Sequence, residues 1–233
     1  MKIAVISDIH SNLQALLAAL SDIDGRAIDQ IYCLGDIVGY GGSPNECVEL
    51  IRRRAAVSVL GNHDQAALNP SDVNNFAKPG KIVSEWTNKM LTDANRQFLA
   101  ALPFTAKVGN CTLVHASPES PPAWQYVDSM DAARDQFAHF TTEVCFIGHT
   151  HVPALCGEDM KTFKFKKDIR FLINVGSIGQ PRDGNFHLSY GILDTEAWSY
   201  ENIRIPYDIR GAALAITSQG LPAVLAKRLS QGL

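Results

Sequence analysis

Apolar residues fill Lys2–Ile6 and then give way to a polar loop. Over residues 13–23 they return at helical spacing, so the chain opens as strand, loop, helix. The unit repeats: 31–34 reads as a second strand, 36–43 as a glycine-rich loop, and Pro44–Arg54 as a helix with proline at its first position. Residues 57–60 make a third strand. Farther along, 78–102 reads as helices, 112–115 as a strand and 130–140 as an amphipathic helix. Val144–Ile147, 170–174, Leu188–Asp194 and 198–205 are strand-like with little helix between them, which predicts an antiparallel second sheet. Residues 209–233 read as helix interrupted near Gly220 and Pro222. Between them, 161–167 alternates lysine with Phe163 and Phe165; a half-buried strand with a solvated lysine face explains this more simply than a nucleic-acid stripe.

Alternation of strand and helix implies parallel pairing, and in parallel sheets the polar residues that follow the strands gather along one carboxyl edge, where ligands bind. Two facing mixed sheets flanked by helices predict an α/β fold, a four-layer α/β/β/α sandwich formed as one domain over residues 1–233.

Composition changes this picture only by exclusion. With 46% hydrophobic and 19% charged residues and a mean hydropathy of −0.03, the chain has the balance of an ordinary globular protein. A net charge of −3 supplies no basic field for stable nucleic-acid binding. The N-terminal apolar run is stopped by Asp8 and His10, too early for a secretion signal or membrane span, so a cytoplasmic location is expected. The 5 cysteines are odd in number and lack C-x-x-C spacing, which predicts reduced buried thiols and no zinc ribbon.

Candidate chemistry concentrates after the strands: Asp8-x-His10, Gly35-Asp36, Gly61-Asn62-His63-Asp64, His115, and Gly148-His149-Thr150-His151. Of the 7 histidines only His139 and His187 lie elsewhere. Each block alone has an ordinary explanation, since Asp8 could cap the next helix and Gly61-Asn62 could be a turn. Together they assemble carboxylate, imidazole and amide oxygen, the donor types that suit Mn, Fe, Zn, Ni or Co, and the lack of thiolate argues against a closed structural zinc. One aspartate can bridge two cations held roughly 3.5–4 Å apart, a clamp for a phosphoryl group, and Asp36 is the candidate bridge. His149 and His151, two apart on a segment read as extended, would share one face and chelate.

In this order the blocks D-x-H, G-D, G-N-H-[DE], H and G-H-x-H resemble the calcineurin-type metallophosphoesterase superfamily from Asp8 to His151. The stretch from Gly35 to Gly41 and Asn174-Val175-Gly176-Ser177 are similar to small bacterial and archaeal members, including YfcE-like and diadenosine-tetraphosphatase-like branches. The resemblance implies that Asp8, His10, Asp36 and His151 bind one divalent transition metal, manganese first among the candidates. Asp36, Asn62, His115 and His149 would bind a second. It implies further that His63 is a general acid beside the phosphate, with Asp64 placed to orient it, and that a water activated by the metals attacks phosphorus in line. Asn62, Ser177 and Arg182 are the candidate substrate contacts, and Asn12 and Tyr40 lie in loops that reach the same place. Two departures stand out: Ala116-Ser117 follows His115 where glycine is commonest, and Val175 stands where many small members have proline.

The expected activity is hydrolysis of phosphomonoesters, phosphodiesters or nucleotide pyrophosphate bonds in a small phosphorylated substrate, a nucleotide among the options, by a protein free to form homo-oligomers and needing no membrane. Retromer-type scaffold relatives lack the histidine at the place of His63, and nucleases of the superfamily bring a basic track or capping domain, so neither fits as well.

Overall fold

A computed structural model describes residues 1–69, 71, 73 and 76–233. The strands are β1 (Lys2–Ile6), β2 (Gln30–Cys33), β3 (Val57–Ser58), β4 (Thr105–Val108), β5 (Cys111–Val114), β6 (Val144–Ile147), β7 (Ala154–Gly157), β8 (Phe171–Asn174), β9 (Leu188–Asp194) and β10 (Ser199–Ile205). The helices are α1 (Leu13–Asp24), α2 (Pro44–Arg54), α3 (Asn62–Leu68), α4 (Lys78–Met90), α5 (Asp93–Ala100), α6 (Met130–Gln136), α7 (Ile209–Ser218) and α8 (Ala223–Leu229).

Two five-stranded sheets form, in the orders β10-β9-β1-β2-β3 and β4-β5-β6-β8-β7. Pairing in the first is parallel through β1, β2 and β3, and antiparallel where β9 joins β1 and β10. In the second, β5, β6 and β8 run parallel while β4 and β7 flank them antiparallel. The expectation of an antiparallel second sheet is therefore corrected. Long connections carry β5 to β6 and β6 to β8, which is what parallel pairing requires. The β9–β10 hairpin, assigned by pattern to the second sheet, instead adds to the free side of β1, with Val5 opposite Gly191.

Three apolar layers give the expected sandwich. Ala4 and Ile6 of β1 face Leu16, Leu20 and Ile51 of α1 and α2. The alternate residues Ile3 and Val5 turn inward with Tyr32 and Leu34 to meet Leu113, Phe146 and Phe171 of the other sheet. Val114, Cys145 and Leu172 point outward onto Phe137 and Phe140 next to α6. Because both faces of β1, β5, β6 and β8 are covered, those strands read as near-continuous apolar runs. Fully burying a side chain such as Phe146 is worth about 2–3 kcal/mol.

Local signals explain the helix starts. Asn12 accepts the Ala15 N–H at 3.1 Å to cap α1, and Pro44 occupies the first turn of α2. Residues 161–167 form no strand: the segment is irregular, Phe163 is exposed, and Phe165 packs on Phe171 and Trp198. The lysines there have no sheet edge to pair with, so their alternation has no structural counterpart. The helix expected over 130–140 ends at Gln136, and that over 209–233 is broken into α7 and α8. No helix among the described residues is long and apolar enough to cross a membrane. All 5 cysteines are free and buried.

Candidate metal centre

The carboxyl ends of both parallel triplets open onto one place. β1 delivers Asp8 and His10, β2 Asp36, β3 Asn62 and His63, β5 His115, and β6 His149 and His151. Main-chain bonds lace these loops together: His10 N–H donates to the Asp36 carbonyl at 2.9 Å and Gly148 N–H to that of His115 at 2.8 Å. Ile178 and Gly179 N–H donate to the Ser7 and Asp8 carbonyls, each at 2.9 Å, tying the loop after β8 to the loop after β1 across the two sheets.

The backbone here is strained. Asp8 (φ 54°), His10 (φ 52°), Asp36 (φ 50°), Tyr40 (φ 53°), His149 (φ 66°) and His151 (φ 63°) all sit in the left-handed region. Such conformations cost of order 1–3 kcal/mol each and persist where surrounding contacts over-determine them, as at functional sites. His149 and His151 therefore do not lie on an extended segment. They converge because two left-handed residues curl the loop, a correction to the reading from spacing.

Every imidazole in the cluster is pinned by a main-chain carbonyl. His10 Nδ1 donates to Val38 at 3.2 Å, His115 Nδ1 to Leu34 at 2.9 Å, His151 Nδ1 to Gln180 at 2.5 Å, and His149 Nε2 to Trp124 at 3.1 Å. A carbonyl only accepts, so each bond fixes the tautomer and leaves the opposite nitrogen with its lone pair directed inward. Those nitrogens crowd: His10 Nε2 lies 3.0 Å from His151 Nε2, and His149 Nδ1 lies 3.2 Å from His115 Nε2.

Carboxylates complete two donor sets. Asp8 Oδ1 is 3.2 Å from His151 Nε2 and 3.8 Å from His10 Nε2, and it is buried without a hydrogen-bond partner. Asp36 Oδ2 is 3.3 Å from His115 Nε2 and 3.7 Å from His10 Nε2. Asn62 Oδ1 adds an amide oxygen 3.1 Å from His115 Nε2. Asp8, His10 and His151 form one group, and Asp36, His115 and His149 another, with donor atoms within 4.8 Å in each. Facing lone pairs 3.0 Å apart and an orphaned buried carboxylate oxygen are unfavourable without a cation, so the residues present fit metal ions.

Electrostatics agree. Burial alone would raise the Asp8 and Asp36 carboxyls, but His151 beside Asp8 and His115 beside Asp36 hold both ionised well below the usual range. Burial opposes charge on His115, yet Asp36 outweighs it and lifts the imidazole to about 9. Burial and then His115 push His149 down to about 3.

His63 shares a third donor group with His10 and Asp36, and its ring packs among Tyr40 at 4.5 Å, Phe76 at 4.5 Å and His10 at 4.9 Å between centroids. Its main-chain N–H donates to Asp36 Oδ1 at 2.8 Å, which fixes the start of α3 against the cluster. Burial first, with Arg182 adding to it and Asp36 opposing, lowers its imidazole to about 4. Two glycines make this packing possible. A Cβ on Gly39 (φ +101°) would lie 2.7 Å from His63 Nδ1, and one on Gly61 would overlap the Asp36 carboxylate.

Some expected site residues turn out to be scaffolding. Asp64 does not bond the His63 ring: its oxygens accept the N–H groups of Val38 at 3.0 Å and Gly61 at 3.1 Å, holding the glycine-rich loop and the first turn of α3. Burial and Asp36 raise its carboxyl to about 7. Ser177 donates to the Asp8 carbonyl and accepts the Gln180 N–H, both at 2.8 Å, and is fully buried. Its hydroxyl is spent on the framework and does not face a substrate. Asn12 is likewise used up, capping α1 and donating to the Gly179 carbonyl at 2.9 Å. Arg182 does reach the site, through Tyr40. His139 is exposed, while the His187 ring meets Phe186 edge-on.

Sequence reading missed the segment after β5. The Trp124 carbonyl orients His149, and Tyr126 stacks on the same ring with centroids 4.1 Å apart. A cluster of two prolines and two aromatics over 121–126 was the available signal. An apolar cavity of about 490 Å³, lined by Val127, Met130, Ile147, Val152 and Leu172, opens beside Thr150, between the two histidines.

Two mixed sheets face to face, with carboxylates and imidazoles gathered at their carboxyl ends, define a metallophosphoesterase fold. The chain belongs to the calcineurin-like phosphoesterase superfamily, whose domain model matches residues 1–197. It is 42% identical to an uncharacterized protein of Methanocaldococcus jannaschii, over 99% of this chain and 98% of that one. A metallophosphoesterase from Sphaerobacter thermophilus superposes with a TM-score of 0.89 at 38% identity, covering 100% of this chain and 99% of the other. A symmetrical bis(5′-nucleosyl)-tetraphosphatase of Aliivibrio salmonicida is 28% identical over 56% of this chain and 49% of its own length. Family and donor clusters together support divalent-metal binding and phosphoester hydrolysis.

Proposed function

We propose that the protein is a dinuclear-metal-dependent phosphoesterase. The observation that carries this reading is Asp36, whose free oxygen faces imidazoles of both donor sets. Asp8, His10, Asp36 and His151 hold one divalent ion, and Asp36, Asn62, His115 and His149 the other. Manganese is the first candidate, with iron, zinc, nickel and cobalt also suited to such donors. Bound there, two cations supply Lewis acidity toward a phosphoryl group and lower the pKa of water to roughly 7.

The chain's own residues do the rest. Ionised Asp8 and Asp36 and the fixed tautomers of four imidazoles preorganise the site, so little reorganisation is left for the reaction. His63 lies beside the cluster with its ring clamped by three aromatic neighbours. A bound phosphate dianion raises its pKa from the low value that burial imposes, and the imidazolium then protonates the leaving oxygen. Mutational losses for such general acids run to ~10²–10⁴-fold. The apolar cavity next to Thr150 accommodates the organic part of a small phosphorylated substrate. The five reduced, buried cysteines favour a cytoplasmic site of action.

The test is a panel of p-nitrophenyl phosphate, bis(p-nitrophenyl) phosphate, 2′,3′-cyclic nucleotides and diadenosine tetraphosphate assayed with added Mn²⁺. Turnover of at least one, abolished by chelation and restored by metal, supports the reading. A metal-loaded protein that hydrolyses none of them overturns it in favour of a scaffold role.

A further inference from the structure

A cavity of about 10 Å³ lies against His10, walled by Ser11, Gln14, Gly41, Gln180, Ala212 and Leu229. That is the room one water molecule takes. Three of these side chains bring to it buried polar atoms with no hydrogen-bond partner among the described residues: Ser11 Oγ, Gln14 Oε1 and Gln180 Nε2. Ser11 and Gln180 are each only 1% exposed, so bulk solvent does not satisfy them. Native interiors seldom leave such groups unpaired, and three around one small cavity call for a common ligand.

The chemistry of the three atoms selects that ligand. Gln180 Oε1 accepts from Arg182 Nη2 at 3.1 Å, which fixes the amide and leaves its N–H₂ end as the free donor. A donor there repels a cation, and the carbonyl oxygen of Gln14 repels an anion. The Ser11 hydroxyl can play either part. Water, a single neutral oxygen that both donates and accepts, can take a proton from Gln180, give one to Gln14 and pair with Ser11 at the same time.

The cavity's position ties it to the metal cluster. Ser11 follows His10 directly, both in the left-handed region at φ 52°. The Gln180 carbonyl accepts His151 Nδ1 at 2.5 Å. Two of the three partners are therefore one peptide or one hydrogen bond away from His10 and His151, the imidazoles of the Asp8 donor group, whose Nε2 atoms lie 3.0 Å apart. Gln14 links the pair to the first turn of α1. The apolar wall comes from Ala212 and Ile216 of α7 and Leu229 of α8, beyond the residues 1–197 that the family model matches. Close packing holds α7 there, since a Cβ on Gly42 would overlap the Ala215 carbonyl.

We infer that the protein carries one internal water, bound by Ser11, Gln14 and Gln180 beneath α7 and α8, and that this water positions His10 and His151 for the ion of the Asp8 group. The three side chains are positioning residues that act through the two histidines. The water goes beyond the phosphoesterase reading, and its effect on the ion rests on the metal half of that reading.

The experiment has two arms, both on the full chain. High-resolution crystals of chelator-treated wild type show one peak with the scattering of an oxygen, about 2.7–3.2 Å from Ser11 Oγ, Gln14 Oε1 and Gln180 Nε2. Mn²⁺ titration, with the two ions followed separately by anomalous occupancy, then compares wild type with Gln14→Met, which keeps the length of the side chain and loses its oxygen. The ion at Asp8, His10 and His151 binds about 10-fold more weakly in the variant, the lower end for losing an outer-shell partner, and the ion at His115 and His149 stays within twofold. Adding Ser11→Ala costs less than the product of the two single effects, because one water serves both groups. A cavity without density, or a peak that scatters as a metal or halide, overturns the water. Equal weakening of both ions, or an unchanged first ion, overturns its role toward His10 and His151. Wild-type protein that shows the peak but takes up no metal removes the metal reading and that role together, and leaves the water standing.

Discussion

Gly39→Ala isolates how the fold positions His63. At φ +101° the added methyl sits where side chains rarely go, a strain of about 1–3 kcal/mol. It also arrives 2.7 Å from His63 Nδ1, 3.0 Å from Cγ and 3.1 Å from Cβ. The ring cannot slip aside freely, because Tyr40, Phe76 and His10 hold it on three sides. Forcing it off its rotamer adds about 0.5–1.5 kcal/mol. The total of roughly 1.5–4.5 kcal/mol corresponds to a melting temperature lower by roughly 3–18 °C for a chain of this size. A ring displaced by about 1 Å costs on the order of 10²-fold in kcat. No metal donor is touched, so metal content holds. Calorimetry, elemental analysis and steady-state kinetics on one preparation read all three. A variant as stable and active as wild type, or one that loses metal before it loses stability, would refute the reasoning.

Other outcomes follow from the same geometry. His63→Ala keeps its metals and loses more rate on an alkyl phosphodiester than on a p-nitrophenyl ester, since the poorer leaving group needs the proton; equal losses sink the general-acid role. In metal-free protein His115 has its pKa raised from 6.5 to about 9, so its contribution to stability is fully present below pH 6.5 and disappears as pH rises through about 9. Asp64, raised from 3.8 to about 7, loses its contribution earlier in the same direction. The thermal stability of chelator-treated protein therefore falls from pH 6.5 to 9, and metal loading flattens that slope; a stability that rises over this window would contradict the assignment. Burial lifts the Cys33, Cys47, Cys111 and Cys145 thiols, Cys111 to about 12, so a thiol reagent reacts with almost none of the cysteines in native protein and all 5 in denaturant. Rapid labelling of two or more in the native state counts against the fold described.

The parallel half of the first sheet was legible because continuous apolar runs and the polar loops after them are local in sequence, whereas the parallel core of the second was read as antiparallel. That Asp8, His10, Asp36, His115, His149 and His151 would gather in one place could be read in advance, since each lies in the loop after its strand. What was hidden is what depends on contacts between distant segments. Nothing in the 188–205 pattern says that β9 will pair with β1 instead of with β8, because either edge satisfies an amphipathic strand. The same limit applies to Ser177 and Asp64: residue type marks both as functional, but their oxygens are consumed by main-chain N–H groups or carbonyls that only the folded loops bring near.

The most direct test of the account is the metal content of this cluster in wild type and Asp36→Asn. The amide keeps an oxygen for the His63 N–H, so the fold survives, but it removes the negative charge shared by both donor sets. Outer-shell losses already cost about 10–100-fold in affinity, and losing the shared ligand exceeds that for both ions. Anomalous scattering and elemental analysis of metal-supplemented crystals should find two ions flanking Asp36 in wild type and both sites depleted in the variant. Wild-type protein with no metal between these residues, or an Asp36→Asn variant that retains both ions, would contradict it.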